Sequence, residues 1–118
     1  MKEYDGLIQG MGFIKERKII ILFDSRATHS FIYLDCVKNL ALYVSNLPFD
    51  LSVATSTKEK LVTSIACFNC PLVYQGVSYL IDLICLPIFG LDVILGMNWL
   101  SSNHVVINCF DKTISITK

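Results

Sequence analysis

One short apolar run that ends in an acid constrains the fold of this chain more than any other stretch. Residues 19–23 are IIILF, five apolar residues of which three are β-branched, and Asp24 follows them directly. Such a run predicts a β-strand that is buried on both faces. Ser25, Thr28 and Ser30 come next, and their hydroxyl groups can bond nearby backbone and shape a tight turn around the carboxylate. The pattern therefore indicates a site built at the end of a buried strand, with Asp24 in it.

The remaining chain is typical of short strands joined by turns. Residues 12–14 and 19–23 flank a charged segment and predict a hairpin whose second strand carries the acid. Two further hairpins are predicted, and single strands follow them. The predicted hairpins join 50–55 to 61–65 and 66–74 to 77–85, and the predicted single strands are 93–95, 105–107 and 113–116.

Two short helices complete the predicted elements. Apolar spacing favours a helix within 31–42, with Ser30 as its N-cap, and Gly96 allows a sharp exit from strand 93–95 into a helical turn at 97–102. Strands at this spacing with one or two short helices predict an all-β, closed barrel-like fold.

Length and composition favour a single domain with a partner. The chain of 118 residues is predicted to form one domain at 12–118, preceded by a lead-in at 1–11. Its residues are 53% hydrophobic and only 17% charged, and a small domain with this excess is expected to bury part of it against another protein. The ten basic and ten acidic residues balance, which argues against a nucleic-acid surface.

Membrane, secretion and metal functions are not expected. The longest apolar region, 79–100, is interrupted by Asp82, Pro87 and Asp92, so it does not predict a membrane span. Residues 1–5 are polar and lack the apolar run of a signal peptide, and the odd count of five cysteines favours reduced thiols in an intracellular, cytoplasmic setting. Cys67-x-x-Cys70 could be half of a zinc site, but no second well-spaced pair exists, so neither metal nor cofactor is expected.

Several segments together resemble a known family. FDSRATHSFI at 23–32 resembles the active-site segment of the retropepsin-like aspartic proteases of gypsy-type LTR retrotransposons, in which glycine stands at the position of Arg26. The resemblance extends over about 12–116 and implies a retropepsin-like fold. Its other segments are LPF at 47–49, VAT at 53–55, CFNCPL at 67–72, DLICLP at 82–87 and GLDVILGMNWL at 90–100.

The resemblance implies peptide hydrolysis by two carboxylates that share one proton. One carboxylate acts as general base on a water molecule while the protonated partner polarises the scissile carbonyl. No other acid of the chain lies in a second motif of this type, so the second carboxylate is expected from Asp24 of another copy. The implied partners are thus a second copy in a homodimer and a peptide or polyprotein substrate.

The same resemblance assigns roles to further residues. Asp24 is catalytic, one per subunit, and Ser25 supports it across the dimer axis. Terminal strands near 12–14 and 113–116 are candidates for the dimer interface. The flap over the substrate includes Ala54, Thr55, Ser56, Thr57 and Lys58, and the packing around the active-site loop involves Ala27, Thr28, Ile94, Leu95 and Gly96.

Three positions depart from the family pattern. Arg26 replaces glycine where the family has no room for a side chain, the flap lacks its usual proline and glycine, and Asn98 stands where aspartate is common. Two cations near the paired acids would favour the ionised form of both. The leading hypothesis is an aspartic endopeptidase that processes a retrotransposon polyprotein. The alternatives are a catalytically inactive remnant that only dimerises or binds, and a cellular binding module built on this fold.

Overall fold

The chain folds into strands with two short helices. The computed structural model describes residues 7–54, 60–108 and 113–116, and within these ranges there are nine strands and two helices. This confirms the predicted all-β class. In chain order the elements are β1 (Leu7–Ile14), β2 (Arg17–Asp24), β3 (Phe31–Tyr33), α1 (Leu34–Asn39), β4 (Ser45–Ala54), β5 (Lys60–Tyr74), β6 (Val77–Leu86), β7 (Val93–Leu95), α2 (Met97–Ser102), β8 (Val105–Asn108) and β9 (Thr113–Ile116).

Seven of the strands form one sheet that closes on itself. Its order is β1-β2-β7-β3-β6-β5-β4, and β1 also pairs with β5 where Phe13 lies opposite Val73. Six strands therefore form a ring, and β4 extends it from β5. Both β2–β7 and β3–β6 are parallel pairs, whereas β7 is antiparallel to β3. The closed barrel-like arrangement predicted from the sequence is confirmed.

Strand β1 begins earlier than the sequence indicated. It starts at Leu7, inside the predicted lead-in, and pairs along its whole length with β2. A Cβ atom added at Gly10 would lie 2.8 Å from Cε2 of Phe23, and one at Gly12 would lie 2.6 Å from Cδ1 of Ile21. The glycines leave room for these β2 side chains. Because glycine has no side chain, the alternation of apolar and polar residues that marks a strand is not visible in this part of the sequence.

Strand β2 buries one of its faces rather than both. The buried side chains are those of Ile19, Ile21 and Phe23. Ile20 is 36% exposed and Leu22 is half-buried on the opposite face, where Asp24 also lies. The prediction of burial on both faces is wrong for the single chain, because β1 and β7 pair with the edges of β2 and leave this second face uncovered.

The predicted helix after the active-site motif is shorter than expected. Phe31–Tyr33 forms strand β3 between β6 and β7, and α1 begins at Leu34 with Tyr33 as an N-cap that makes no side-chain bond. The prediction that Ser30 caps this helix is wrong. Because β3 pairs with β6 on one side and with β7 on the other, strand pairing overrides the helical spacing of Phe31–Tyr33.

The core is centred on aromatic rings from distant parts of the chain. The Phe23 ring lies 5.1 Å from Tyr74 and 6.1 Å from Trp99, and Trp99 meets Tyr79 edge-on at 5.2 Å between centroids. Trp99 is 6% exposed and fixes α2 against the barrel, which makes it a packing residue. No helix of the described ranges is long and apolar enough to cross a membrane.

The two terminal strands have different pairing. Residues 12–14 belong to β1, which has β2 along one edge and β5 at its other, so this stretch is used within the chain and is a poor interface candidate. Strand β9 pairs only with β8 among the described strands, in a separate two-stranded sheet. Within the described ranges, the edge of β9 that faces away from β8 makes no strand pairing.

Candidate active site

Asp24 lies at the end of β2, where its carboxylate shapes the following turn. Its Oδ1 accepts the backbone N–H of Arg26 at 2.9 Å, and its carbonyl oxygen accepts the N–H of Ala27 at 3.2 Å. The Asp24 side chain is 19% exposed. Ser25 is exposed beside it. The strand therefore delivers one partly accessible acid into a tight turn, and the bonds within that turn are made by the carboxylate and the backbone rather than by the hydroxyl groups that were predicted to shape it.

Ser30 ties the turn after Asp24 to the start of α2. The residue is 1% exposed, and its hydroxyl donates to Oδ1 of Asn98 at 2.8 Å while accepting the N–H of Gly96 at 3.0 Å. Its carbonyl oxygen accepts the N–H of Ile84 at 3.0 Å. Ser30 thus connects the active-site loop with α2 and β6, and sequence analysis missed this role because both partners of its hydroxyl are more than sixty residues away.

The first N–H groups of α2 are bonded by the active-site loop. Met97 donates to the carbonyl of Ala27 at 2.7 Å, and Asn98 donates to the carbonyl of Thr28 at 3.1 Å. Helix starts leave such donors without intrahelical partners, so here the loop serves as the cap. The structure places Ala27, Thr28 and Gly96 together.

The other two packing residues lie on strand β7. Ile94 pairs with Leu22 of β2 and with Phe31 of β3, and Leu95 is fully buried in the core. Strand β7 thereby joins the Asp24 strand to the strand after the active-site loop. The loop is held from both ends.

Replacing Ser30 with alanine is expected to destabilise the domain by about 1–3 kcal/mol, because it leaves the buried N–H of Gly96 without its partner. Denaturant unfolding measures this change. The matched control is Ser102→Ala, because Ser102 is exposed and its hydroxyl donates only to the carbonyl of Asn98 within α2. The control is expected to change stability by about 0.5 kcal/mol or less. Equal effects of the two substitutions would contradict the anchoring role of Ser30.

Arg26 lies beside the acid. Its Nε is 3.6 Å from Oδ1 of Asp24, and its side chain is 55% exposed. Arg26 is not among the residues with positive φ, so the backbone at this position does not require glycine. The fold accommodates arginine at this position without backbone strain.

A cleft of about 700 Å³ adjoins this loop. One wall is the segment 26–31, and the facing walls come from β4, β5 and β6. Phe49 is 57% exposed and Phe68 is 47% exposed, so the cleft presents large apolar side chains to solvent. The facing walls comprise Leu47, Phe49, Leu51, Ser52, Val53, Ala66, Phe68, Asp82, Leu83 and Ile84.

The predicted flap is only partly within the described ranges. Strands β4 and β5 pair as far as Ala54 and Lys60, so they form the base of a hairpin beside the cleft. Thr55, Ser56, Thr57 and Lys58 lie outside the described residues.

Two other acids, Asp92 and Asp82, each accept a hydrogen bond from a backbone N–H group. Oδ2 of Asp92 accepts the N–H of Ile20 at 2.7 Å, and Oδ1 of Asp82 accepts the N–H of Asn69 at 2.9 Å. Each carboxylate thus bonds the backbone of a different strand, and neither is paired with the other. In the described ranges no group of three or more His, Cys, Asp or Glu side chains is arranged to hold a metal ion.

The whole chain, residues 1–118, matches the family model for retroviral aspartyl proteases. The chain belongs to this family. The retroviral protease-like domain of Ddi1 from Leishmania major has a TM-score of 0.72 to this chain at 12% identity, with 95% of this chain and 89% of that one covered. No curated protein matches the chain.

Two further solved structures resemble this retropepsin-like aspartic protease domain. EIAV protease complexed with the inhibitor HBY-793 has a TM-score of 0.63 at 14% identity, covering 86% of this chain and 92% of that one. A retropepsin-like aspartic protease from Rickettsia conorii has a TM-score of 0.57 at 18% identity, covering 88% and 78%. At these identities the likeness shows the retropepsin-like fold, and the residues of this chain must carry the argument about its activity.

Proposed function

We propose that two copies of this chain form an aspartic endopeptidase that processes a retrotransposon polyprotein, and that Arg26 suppresses its activity. The observation that carries the proposal is Asp24, held on an anchored turn whose following residues, 26–31, line the cleft. Hydrolysis by paired carboxylates needs a second such acid, and a two-fold axis supplies it from the same residue of the partner. Ser25, exposed beside Asp24, would contact the partner across that axis.

The reaction follows from two carboxylates that share a proton. The ionised Asp24 takes a proton from water as the water oxygen attacks the peptide carbonyl, and the protonated Asp24 of the partner donates to the carbonyl oxygen. Transfer of a proton to the amide nitrogen then breaks the C–N bond. The cleft walls, with Phe49 and Phe68 exposed, suit a peptide in extended form with large apolar side chains, and the flap at Ala54 to Lys58 would cover it.

Arg26 would interfere with this cycle because its guanidinium lies beside the acid, with Nε 3.6 Å from Oδ1 of Asp24. In the dimer two guanidinium groups would compete with the attacking water and the substrate for the oxygens of the two acids. The guanidinium also occupies the loop segment that borders the cleft.

The polyprotein origin rests on the resemblance of segments 23–32 and 90–100 to the proteases of gypsy-type retrotransposons. In the fold these segments form the Asp24 turn and the β7–α2 unit, which bond each other directly. The described cysteines, Cys36, Cys67, Cys70 and Cys85, are free and buried, in keeping with a reducing, cytoplasmic location.

A second candidate is a catalytically inactive domain that binds peptides. The ion pair between Arg26 and Asp24 favours it, because an acid that is already paired has less capacity to act as a base. The same cleft and the same dimer would serve binding. The two candidates differ only in whether the acid pair works once the cation is removed.

Sedimentation equilibrium and peptide cleavage together test the proposal. At micromolar concentration the chain is expected to sediment as a dimer, with slow cleavage of apolar peptides that Asp24→Asn abolishes. The substitution retains the shape of the side chain, so a fold change is not its expected effect. A chain that stays monomeric across the concentration range would exclude the shared acid pair. Cleavage that survives Asp24→Asn would come from a contaminant, and the assay would then no longer support an aspartic protease activity of this chain.

A further inference from the structure

A bulge in β5 brings two cysteines to the same side of the sheet. Cys67 lies opposite Leu83 and Cys70 lies opposite Ile81, so three steps along β5 match two steps along β6. Asn69, within the bulge, has a φ of 53°, and its N–H is held by Asp82 at 2.9 Å. The irregularity is therefore fixed by a specific bond rather than left loose.

The bulge changes where the two thiols point. In a regular strand, residues three apart point to opposite faces, so one of the two cysteines would face solvent. Here Cys67 is 4% exposed and Cys70 is fully buried, both in the core, while Phe68 between them is 47% exposed. Neither cysteine is in a disulfide. The bulge thus places both thiols on the core side of the sheet.

The two thiols differ in reactivity. The hydrogen bond from Cys70 lowers the pKa of the Cys67 thiol, and the Lys15 ammonium acts in the same direction, against the effects of burial and of Asp82. The same hydrogen bond and burial raise the pKa of Cys70. Cys67 is also the one with some exposed surface. It is therefore the attacking group, and Cys70 is the resolving group.

We propose that Cys67 and Cys70 form a dithiol modification site that is oxidised reversibly by a small disulfide such as oxidised glutathione. The Cys67 thiolate attacks one sulfur of the glutathione disulfide, forms a mixed disulfide and releases one glutathione thiolate. Cys70 then loses its proton to solvent, and its thiolate attacks the Cys67 sulfur and releases the second glutathione. Two protein thiols are oxidised to one disulfide, and one glutathione disulfide is reduced to two thiols.

The modification is coupled to the cleft through Phe68. This residue lies between the two cysteines in the chain, and its ring forms part of the cleft wall. A disulfide holds its two sulfurs about 2 Å apart, closer than two thiols approach, so the bond must pull the flanking backbone together. Oxidation is expected to move Phe68 and weaken peptide binding, whether or not the bound peptide is cleaved.

Intact-mass measurement on the folded full chain tests the site. The parent protein carries Cys109→Ser, because Cys109 lies outside the described ranges, and it is incubated with graded ratios of oxidised to reduced glutathione. Loss of two hydrogens is expected in the parent and in the matched controls Cys36→Ser and Cys85→Ser, whose thiols are also buried. Cys70→Ser is expected to stop at a mixed glutathione adduct, and Cys67→Ser to stay unmodified.

Proteolytic mapping of the oxidised parent assigns the bond without any core substitution, so the test does not depend on the variants folding. A bond between Cys67 and Cys70 that reduced glutathione reverses is the expected result. A folded parent that remains unoxidised at every ratio, or a bond that involves Cys36 or Cys85, would overturn the proposal. These outcomes are independent of peptide cleavage, so they do not bear on the proposed protease function.

Discussion

Replacing Arg26 with glycine is expected to raise kcat/KM for peptide cleavage by about 100-fold or more, because a positioned acid–base group contributes at least that much to a proton-transfer step. In the native chain the Arg26 Nε is 3.6 Å from Oδ1 of Asp24. Removing this cation leaves the Asp24 carboxylates of a dimer free to contact each other and the attacking water. Initial rates on a panel of apolar peptides, at matched dimer concentration, measure the change.

Two companion variants separate charge from size at position 26, and a third tests whether cleavage uses Asp24. Arg26→Gln removes the charge but keeps much of the length, and Arg26→Lys keeps the charge without the guanidinium fork. If charge is the main cause, the glutamine variant recovers much of the activity and the lysine variant stays near the native level. Arg26→Gly combined with Asp24→Asn is expected to be inactive, which shows that the recovered cleavage uses the acid pair.

The result that would contradict this prediction is a folded, dimeric Arg26→Gly protein with no gain in cleavage. Since Arg26 does not have a positive φ, glycine there is not expected to relieve backbone strain, and stability should change by less than about 1 kcal/mol. An unchanged rate in a protein of unchanged stability would therefore favour the peptide-binding candidate over a suppressed enzyme.

Replacing Gly96 with alanine is expected to destabilise the domain by about 3 kcal/mol or more, because the new methyl group meets backbone atoms that cannot rotate away. The added Cβ would overlap the carbonyl oxygen of His29 and lie 2.7 Å from that of Ala27. Making room requires the active-site loop to separate from α2, which breaks the bonds to Met97 and Ser30. The melting temperature should fall by about 10 °C or more, and any cleavage should be lost with it.

Gly76→Ala is the matched control for this substitution. Gly76 has a φ of +78° in the turn between β5 and β6, but nothing lies within 4 Å of a Cβ built there. Alanine at Gly76 suffers from the left-handed backbone alone, which costs about 1 kcal/mol. Comparing the two alanine variants thus separates the cost of a left-handed backbone at Gly76 from the cost of a steric clash at Gly96. A Gly96→Ala protein as stable as the Gly76→Ala protein would show that the loop and α2 are less closely packed than the contacts indicate.

Local pattern in the sequence was sufficient for most of the strands. The hairpin between β5 and β6 was predicted from Gln75 and Gly76, and both residues have the positive φ that such a turn needs, 52° and 78°. Turn residues and alternation act between neighbours, so the information is contained in a few consecutive positions. The part of strand β1 before residue 12 was missed, because its glycines make sense only beside Ile21 and Phe23 of the next strand.

The sequence by itself determined the family, the strand that carries Asp24 and the glycine position now held by Arg26, because each of these depends on consecutive residues. Only the tertiary structure decided that Ser30 bonds Gly96 and Asn98, 66 and 68 residues away, and that a bulge turns Cys67 and Cys70 to one side. Such contacts depend on the register and closure of the whole sheet. The energy that selects the register is spread over many strand pairs, so no single stretch of sequence contains it.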